Sequence, residues 1–250
     1  LAGPALAVVG RAGAPLIDAA TFFISAGIIA CIRVPEKAAE SGTDLKAILH
    51  DFTEGAKTLL HSPLMLTLGL LGMLINFGTV PLSAFGTAFV VDCLHAGPEV
   101  SSAMELALVA GMALGAYVTP KMGRLSNRWV IILFGVDVAL SMLLMAAAPS
   151  LQGVWLSCGV TLVSSLLMGV GVGVINVIYA SSLMHAVPEG MMGRISGTFN
   201  ALLVLILPLG SFLCSAMASV LTIVRVMLVF GVFLLLLYLG MIFVPTLKEV

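Results

Sequence analysis

The stretch PKMGRLSNRWVIILFGVDVALSMLLMAAA, residues 120–148, joins a basic loop to a long apolar segment. Its second part, 129–148, has the roughly 20 mostly apolar residues that a helix needs to cross a hydrocarbon core of about 30 Å. Its first part, 120–128, holds Lys121, Arg124 and Arg128. Basic loops concentrate on the cytoplasmic side of a membrane. The stretch therefore predicts a transmembrane helix that enters the bilayer from the cytoplasm.

The same kind of apolar segment recurs along the whole chain. Hydrophobic residues make up 60% of the sequence and charged residues only 9%, whereas about a quarter of the residues of a soluble domain are charged. We therefore predict an all-α polytopic membrane protein with six long spans and one shorter apolar stretch, at 15–32, before them. The six predicted spans are 64–91, 101–119, 129–148, 153–186, 195–220 and 222–247.

The loops between these spans alternate in basic charge. Loop 188–194 holds Arg194, as loop 120–128 holds its three basic residues, whereas loops 92–100 and 149–152 hold no Lys or Arg. This alternation places 33–62 and the C-terminus in the cytoplasm, with only Arg11 and Arg225 of the basic residues outside. We expect a multi-pass protein of the plasma (inner) membrane with the lipid bilayer as a partner.

Composition and motifs argue against several other classes of protein. The net charge of −1 and the scattered basic residues do not indicate a nucleic-acid partner. The four cysteines show no CxxC or Cys/His spacing, so we expect no metal site and no cofactor. No HExxH or GxSxG motif indicates an enzyme, and we expect no catalytic residues. The run Gly-Val-Gly-Val-Gly at 169–173 lies inside an apolar segment, which argues against nucleotide binding.

Small residues within the spans indicate close helix packing. Gly111 and Gly115 form one GxxxG pair, and Gly169 and Gly173 form another. Glycines at this spacing let membrane helices approach closely. Pro81 and Pro208 lie inside spans and predict kinks.

The segment 33–62 is the one long polar stretch, and the chain before it looks incomplete. Apolar residues recur within 45–60 at steps of three and four, which predicts an amphipathic helix. Such a helix either lies on the membrane surface or forms a solvated linker, and the sequence leaves both open. Residues 1–10 read as the end of a further apolar helix, so we expect the chain to be truncated upstream.

Several short motifs, in this order and spacing, carry a resemblance to a known family. They are GPAL at 3–6, IDAATF at 17–22, DFTEG at 51–55, NFGTVP at 76–81, Glu105-x-Ala107 before GMxxG at 111–115, VPE at 187–189 with GR at 193–194, and PLG at 208–210. Together they resemble the C-terminal part of a major facilitator superfamily transporter, in its macrolide-efflux-like and siderophore-exporter-like branch.

The resemblance implies a twelve-helix fold of two six-helix halves with a substrate site between them. This chain would supply the end of the fifth and the sixth helix at 1–33, a cytoplasmic linker at 34–62, and the C-terminal six-helix domain at 63–250. Its partners would be a small-molecule substrate and an N-terminal half that this chain lacks. The implied function is secondary active transport by alternating access, in the form of proton-coupled efflux of amphiphilic compounds. An importer or uniporter remains open, as does a channel or a membrane scaffold.

Polar residues deep in the spans are candidates for the substrate cavity. Asn76 and Asn176 each lie roughly 18 Å from the cytoplasmic end of their span, near the midplane. The resemblance implies that their helices, the seventh and the tenth, line the cavity, and we add Thr79 of the seventh. Polar side chains are costly in hydrocarbon, which favours a functional role. A bond between helices is the structural alternative.

Acidic residues within the spans are candidates for proton coupling. Glu105 lies about one turn inside the extracellular end of its span, where a carboxyl can take up and release a proton as its surroundings change. The alternatives are a carboxylate that reaches the interface or pairs with Arg225. For Asp137 and Asp18 we favour structural bonds to neighbouring helices.

Charged residues of the cytoplasmic loops are candidates for a gate. Ion pairs among them would hold the cytoplasmic ends of the helices together when the transporter faces outward. Each exposed pair is worth only about 0–1 kcal/mol, so a network would be needed. Membrane topology alone also accounts for these charges. The candidate gate residues are Lys121, Arg124, Arg128, Glu189 and Arg194.

Overall fold

The computed structural model describes residues 16, 19–31, 52–55, 57, 61–123, 126–187 and 192–243. The chain divides into two units, 1–49 and 50–250. In the first unit, a helix (α1) covers Ala19–Cys31, inside the predicted stretch 15–32. In the second unit, residues 52–55 are helical. Most of the predicted amphipathic segment, residues 1–10 and Asp18 lie outside the described residues.

Six long helices follow in the second unit. They are α2 (Pro63–Ala88), α3 (Pro98–Val118), α4 (Asn127–Ala147), α5 (Val154–Ala186), α6 (Met192–Ala218) and α7 (Ile223–Gly240). Short π or 3-10 turns extend four of them, at Phe89–Cys93, Thr119–Met122, Ala148–Ser150 and Met241–Phe243. Each of the six is long and apolar enough to cross a membrane. The prediction of an all-α fold with six long spans is confirmed.

Local sequence signals set where these helices begin. The hydroxyl of Ser62 accepts a hydrogen bond from the Met65 amide at 3.4 Å, and Pro63 occupies the first helical turn of α2. Thr222 caps α7 in the same way through the Arg225 amide. The first backbone amides of a helix have no partner within the helix, and the side-chain oxygen of Ser or Thr can accept a hydrogen bond from one of them. Pro suits the first turn because it has no backbone N–H that would need a partner there. Pro81 and Pro208 lie inside α2 and α6, which continue through them.

The core lies where α5 and α7 pack against α4. Val138 and Met142 of α4 and Leu234 and Tyr238 of α7 are fully buried. Tyr238 packs so closely on Gly135 that a Cβ there would overlap its ring. By contrast, α3 and α6 are largely exposed along their lengths. The second helix, α2, packs mainly on α6 and α7.

The predicted glycine pairs lie opposite each other and join α3 to α5. A Cβ added at Gly111 would overlap the carbonyl oxygen of Leu166 and lie 3.0 Å from the Cα of Gly169. A Cβ at Gly169 would in turn overlap the carbonyl oxygen of Leu108. Gly115 and Gly173 make the same kind of contact one turn further on. We call this backbone-to-backbone contact the glycine seam.

The middle glycine of the same run serves the other side of α5. A Cβ at Gly171 would lie 2.7 Å from the Phe134 carbonyl oxygen and 2.9 Å from Oδ2 of Asp137, both on α4. The glycines at 169–173 therefore let α5 fit between α3 and α4, with one glycine facing α4 and two facing α3. This packing role agrees with the argument against a nucleotide-binding loop.

Candidate functional site

A cavity of about 460 Å³ opens between α2, α3 and α5, with Leu207 of α6 at its edge. Its volume lies in the range of small-molecule sites, roughly 300–1,000 Å³. Its described polar lining consists of Asn76, Thr79, Ser83, Thr87, Ser101, Glu105 and Ser165. Its described apolar lining consists of Val80, Leu82, Gly86, Met104, Leu108, Met168, Val172 and Leu207. The cavity combines apolar walls with hydroxyls, one amide and one carboxylate.

Two of the predicted substrate residues, Asn76 and Thr79, lie together on the cavity side of α2. The Asn76 amide donates a hydrogen bond to the Gly72 carbonyl at 2.9 Å. The Thr79 hydroxyl lies 3.0 Å from the Asn76 carbonyl and 3.3 Å from that of Ile75. Thr79 therefore uses its hydroxyl hydrogen and Asn76 uses one of its two amide hydrogens within α2, and both side chains remain at the cavity surface.

The predicted proton-coupling residue, Glu105, lines the same cavity from α3. Its side chain is exposed, and no bond to it, from Arg225 or another group, is found within the part of the chain that the structure describes. Ser101 lies one turn earlier on α3, and its buried Oγ has no hydrogen-bond partner among the described residues. The structure thus brings Asn76, Thr79 and Glu105 to one cavity, which sequence position alone did not show.

The third predicted substrate residue, Asn176, lies elsewhere. It is exposed and is not among the described residues that line the cavity. Residues 165, 168 and 172 of α5 line the cavity, and position 176 continues their helical stripe one turn beyond it. The polar side chain at 176 therefore marked the face of α5 that borders the cavity. Its depth along the helix did not show that the cavity ends one turn before it.

Four polar lining residues were not predicted: Ser83, Thr87, Ser101 and Ser165. A signal for two of them was present in the sequence. Polar residues at 76, 79, 83 and 87 recur at steps of three and four, which puts them on one face of an otherwise apolar helix. Ser101 likewise lies four residues before Glu105. Ser165 gives no comparable signal, because its segment carries several Ser and Thr residues.

Two of the candidate gate residues have described side-chain contacts. The Lys121 ammonium lies 3.8 Å from the centre of the Tyr117 ring. The Arg128 guanidinium donates a hydrogen bond to the Ile242 carbonyl and lies 5.8 Å from the Trp129 ring. Arg128 therefore ties the start of α4 to the end of α7. Arg124, Glu189 and the side chain of Arg194 lie outside the described residues, so the predicted gate network stays a prediction.

Asp137 is the other acidic residue of interest within a span. Its Oδ2 lies against Gly171 of α5. The hydrogen bond that we expected it to make with a neighbouring helix is not found among the residues described. The bare backbone at Gly171 explains the close approach of the carboxylate, since a side chain there would displace it.

A comparison of the sequence with models of protein families finds one match. A model of the Major Facilitator Superfamily matches residues 1–211. The chain belongs to this superfamily. Neither a curated protein nor a solved structure matches it. As a major facilitator protein, it is a secondary transporter in the general sense, a multi-pass membrane protein, and not an enzyme.

Proposed function

We propose that the protein is a proton-coupled exporter of amphiphilic compounds that works by alternating access. In this proposal it belongs to the macrolide-efflux-like and siderophore-exporter-like branch and acts in the plasma membrane. Residues 63–250 form the C-terminal six-helix half, preceded by a linker at 34–62 and, at 1–33, the last part of the other half. The linker and the C-terminus face the cytoplasm.

The observation that carries this proposal is the meeting of Glu105 with Asn76 and Thr79 at one cavity. An exporter driven by protons needs a group that binds a proton on one side of the membrane and releases it on the other. An accessible carboxyl beside a ligand-sized cavity supplies such a group. Apolar walls beside an amide and hydroxyls suit molecules with both apolar and polar parts.

The exposure of α3 and α6 supports the proposal that a second half of the transporter packs against this one. Two helices that border the cavity, α3 and α6, are the most exposed of the long helices. In alternating access by two rocking halves, the cavity side of each half faces the other across the substrate path. We propose that an N-terminal half covers this side, and that Asn176 faces the same path beyond the cavity.

The cytoplasmic gate remains part of the proposal. Lys121, Arg124, Arg128, Glu189 and Arg194 would form it. Arg128 would act at the joint between α4 and α7, where its bond to Ile242 already connects the two helices. Breaking and forming such contacts can bias two conformations that differ by a few kcal/mol.

The test is proton-driven uptake of a dye into inverted membrane vesicles that contain the product of the complete gene, because efflux from the cell corresponds to uptake by an inverted vesicle. The unmodified protein is compared with Glu105→Gln, which keeps the shape of the side chain and removes its charge. The matched control is Glu99→Gln, the same exchange in the first turn of α3, at a position that does not line the cavity. All three proteins must be present in equal amounts by immunoblot.

We expect efflux to fall at least about tenfold in Glu105→Gln and to persist in Glu99→Gln. Equal efflux in all three proteins would assign Glu105 a structural role. Efflux that does not depend on the proton gradient, in the unmodified protein, would contradict proton coupling and favour a uniporter.

A further inference from the structure

The hydrogen bonds around the cavity leave it rich in acceptors. The hydroxyl of Ser83 donates to the Val80 carbonyl at 2.9 Å, and that of Ser165 donates to the Thr161 carbonyl at 2.8 Å. Thr79 uses its hydroxyl hydrogen in the same way. A hydroxyl has one donor hydrogen and two acceptor lone pairs. Each of these side chains therefore has its donor engaged and still offers lone pairs to a ligand.

The remaining groups strengthen this polarity. Asn76 uses one of its two amide hydrogens on the Gly72 carbonyl, so its side-chain oxygen remains an acceptor beside one remaining donor hydrogen. Glu105 is the one charged residue among the described residues that line the cavity. An ionised carboxylate accepts hydrogen bonds and cannot donate them. Glu105 therefore adds a negative charge to a surface whose free lone pairs already favour a ligand that donates hydrogen bonds.

Ser101 is placed to assist Glu105. Its buried Oγ has no partner among the described residues and lies one helical turn from Glu105 on the same face of α3. A buried hydroxyl without a partner costs free energy, so a bond formed when the ligand arrives would stabilise the complex. When a ligand donates one hydrogen bond to Glu105, the Ser101 hydroxyl can accept another hydrogen bond from the same donor group.

The walls of the cavity define the rest of the ligand. Met104 and Met168 line it from α3 and α5, and methionine adapts to irregular apolar shapes. A metal cation would need several carboxylate, His or Cys ligands, and no such group of three is found within the described residues. The surroundings of Glu105 therefore suit an organic cation better than a metal ion.

We propose that the cavity selects amphiphilic molecules that carry one protonated amine, with Glu105 as the counter-charge. The ammonium donates hydrogen bonds to Glu105 and Ser101, and the apolar body packs on the methionine and leucine side chains. Neutral analogues lose the charged hydrogen bond, and anionic analogues are repelled by the carboxylate. This inference rests on the proposed function for the cavity as substrate site and adds the charge of the substrate.

The test measures binding with three fluorescent probes that share one body. Dansylcadaverine carries an ammonium group, its N-acetyl derivative is neutral, and dansyl-6-aminohexanoate carries a carboxylate. The product of the complete gene is placed in nanodiscs of phosphatidylcholine, which has no net charge, and empty nanodiscs give the background. The proteins compared are the unmodified one, Glu105→Gln and the control Glu99→Gln.

We expect the unmodified protein to bind the ammonium probe about tenfold more tightly than the neutral probe, and the anionic probe most weakly. Glu105→Gln should bind the ammonium and neutral probes equally, whereas Glu99→Gln should keep the preference. Equal binding of the two probes by the unmodified protein would overturn the proposal. So would a preference that survives in Glu105→Gln.

A second variant locates the site independently of Glu105. Leu207→Trp fills the edge of the cavity and keeps the carboxylate. We expect it to weaken binding of both the ammonium and the neutral probe. Unchanged binding of both would place the binding site outside this cavity and overturn the proposal.

The binding assay tests the charge of the ligand and the transport assay tests the proposed exporter, so the two proposals can fail separately. An ammonium preference that depends on Glu105, without proton-driven efflux, would support the ligand class and reject the exporter. Proton-driven efflux of dyes, without any ammonium preference, would support the exporter and reject the ligand class.

Discussion

The two halves of α3 meet their neighbours in opposite ways. In its second half, Gly111 and Gly115 form the glycine seam with α5, where backbone touches backbone. In its first half, Ser101 and Glu105 border the cavity, and the neighbouring helices are held apart. One helix is therefore closed against its neighbour at one end and open at the other.

The difference shows how side-chain size sets the spacing of membrane helices. Lipid tails are as apolar as the helix surfaces, so close packing and not burial from water drives helix association. Glycine permits the closest packing. Where the opposing atom is a backbone carbonyl oxygen, a larger residue would clash with it, because the backbone cannot rotate away as a side chain can. Polar side chains keep space that a ligand can fill. The predictions below test whether stability depends on the seam and not on the cavity.

The largest effect is expected at the centre of the seam. Gly169→Ala places a Cβ on the backbone carbonyl of Leu108, which cannot rotate away. We expect the free energy of unfolding to fall by about 2–3 kcal/mol, as for other overpacked sites. The measurement is thermal unfolding in detergent with a coumarin maleimide, which reacts with the buried thiols of Cys158 and Cys214 as they become exposed.

The control lies on the same helix. Gly159 of α5 has nothing within 4 Å of its Cβ position. Gly159→Ala should leave the unfolding midpoint unchanged or raise it slightly, because alanine is the better helix former. Equal loss of stability in both variants would show that helix flexibility, and not the close contact, is what the glycines provide.

A smaller effect is expected where a side chain and not the backbone joins two helices. Arg128→Ala removes the hydrogen bond to the Ile242 carbonyl at the end of α7. We expect a loss of about 1 kcal/mol, because this bond is exposed to solvent. Lys121→Ala is the control, since the contact found for that side chain among the described residues is with the ring of Tyr117, one turn earlier. Equal midpoints for the two variants would argue against Arg128 as a structural tie.

The sequence predicted the helices well because crossing a bilayer is a local requirement. The segment predicted at 64–91 appears as α2 with its π-helical end, Pro63–Cys93, and the other five long spans agree to a similar degree. Length and apolarity are properties of each segment alone. The start of α2 also follows from a local signal, because Ser62 followed by Pro63 is a typical helix start.

The partners of each helix were harder to predict. The glycine pairs marked faces for close packing, but nothing in the sequence showed that Gly111 would meet Gly169. The cavity likewise depends on α5, which is distant in the chain from the consecutive helices α2 and α3. Asn76 and Glu105 were predicted for separate reasons, while Ser165 was missed. Contacts between distant segments depend on packing, which a single sequence does not encode in a readable pattern.

A third test concerns Tyr179 of α5, which joins this helix to α2 by a hydrogen bond and to α6 by a ring contact. The Tyr179 hydroxyl donates a hydrogen bond to the Leu68 carbonyl at 3.3 Å, and its ring packs edge-on against Phe199 at 5.7 Å. Tyr179→Phe removes only the hydroxyl. We expect a loss of about 0.5 kcal/mol, typical of such bonds within membrane proteins. Tyr179→Leu, which also removes the ring contact, should lower the midpoint further.

The smallest effect on stability is expected at the cavity itself. Ser83→Ala removes a hydroxyl that lines the cavity and whose one hydrogen bond within the described part of the chain goes to the Val80 carbonyl of its own helix. The change in the free energy of unfolding should stay within about 0.5 kcal/mol, as for substitutions that break no contact between helices. The same thermal assay measures it, with Gly169→Ala in parallel. A loss as large as that of Gly169→Ala would mean that the polar lining holds α2 against α3. The cavity would then be part of the packed core and not a space kept open for a ligand.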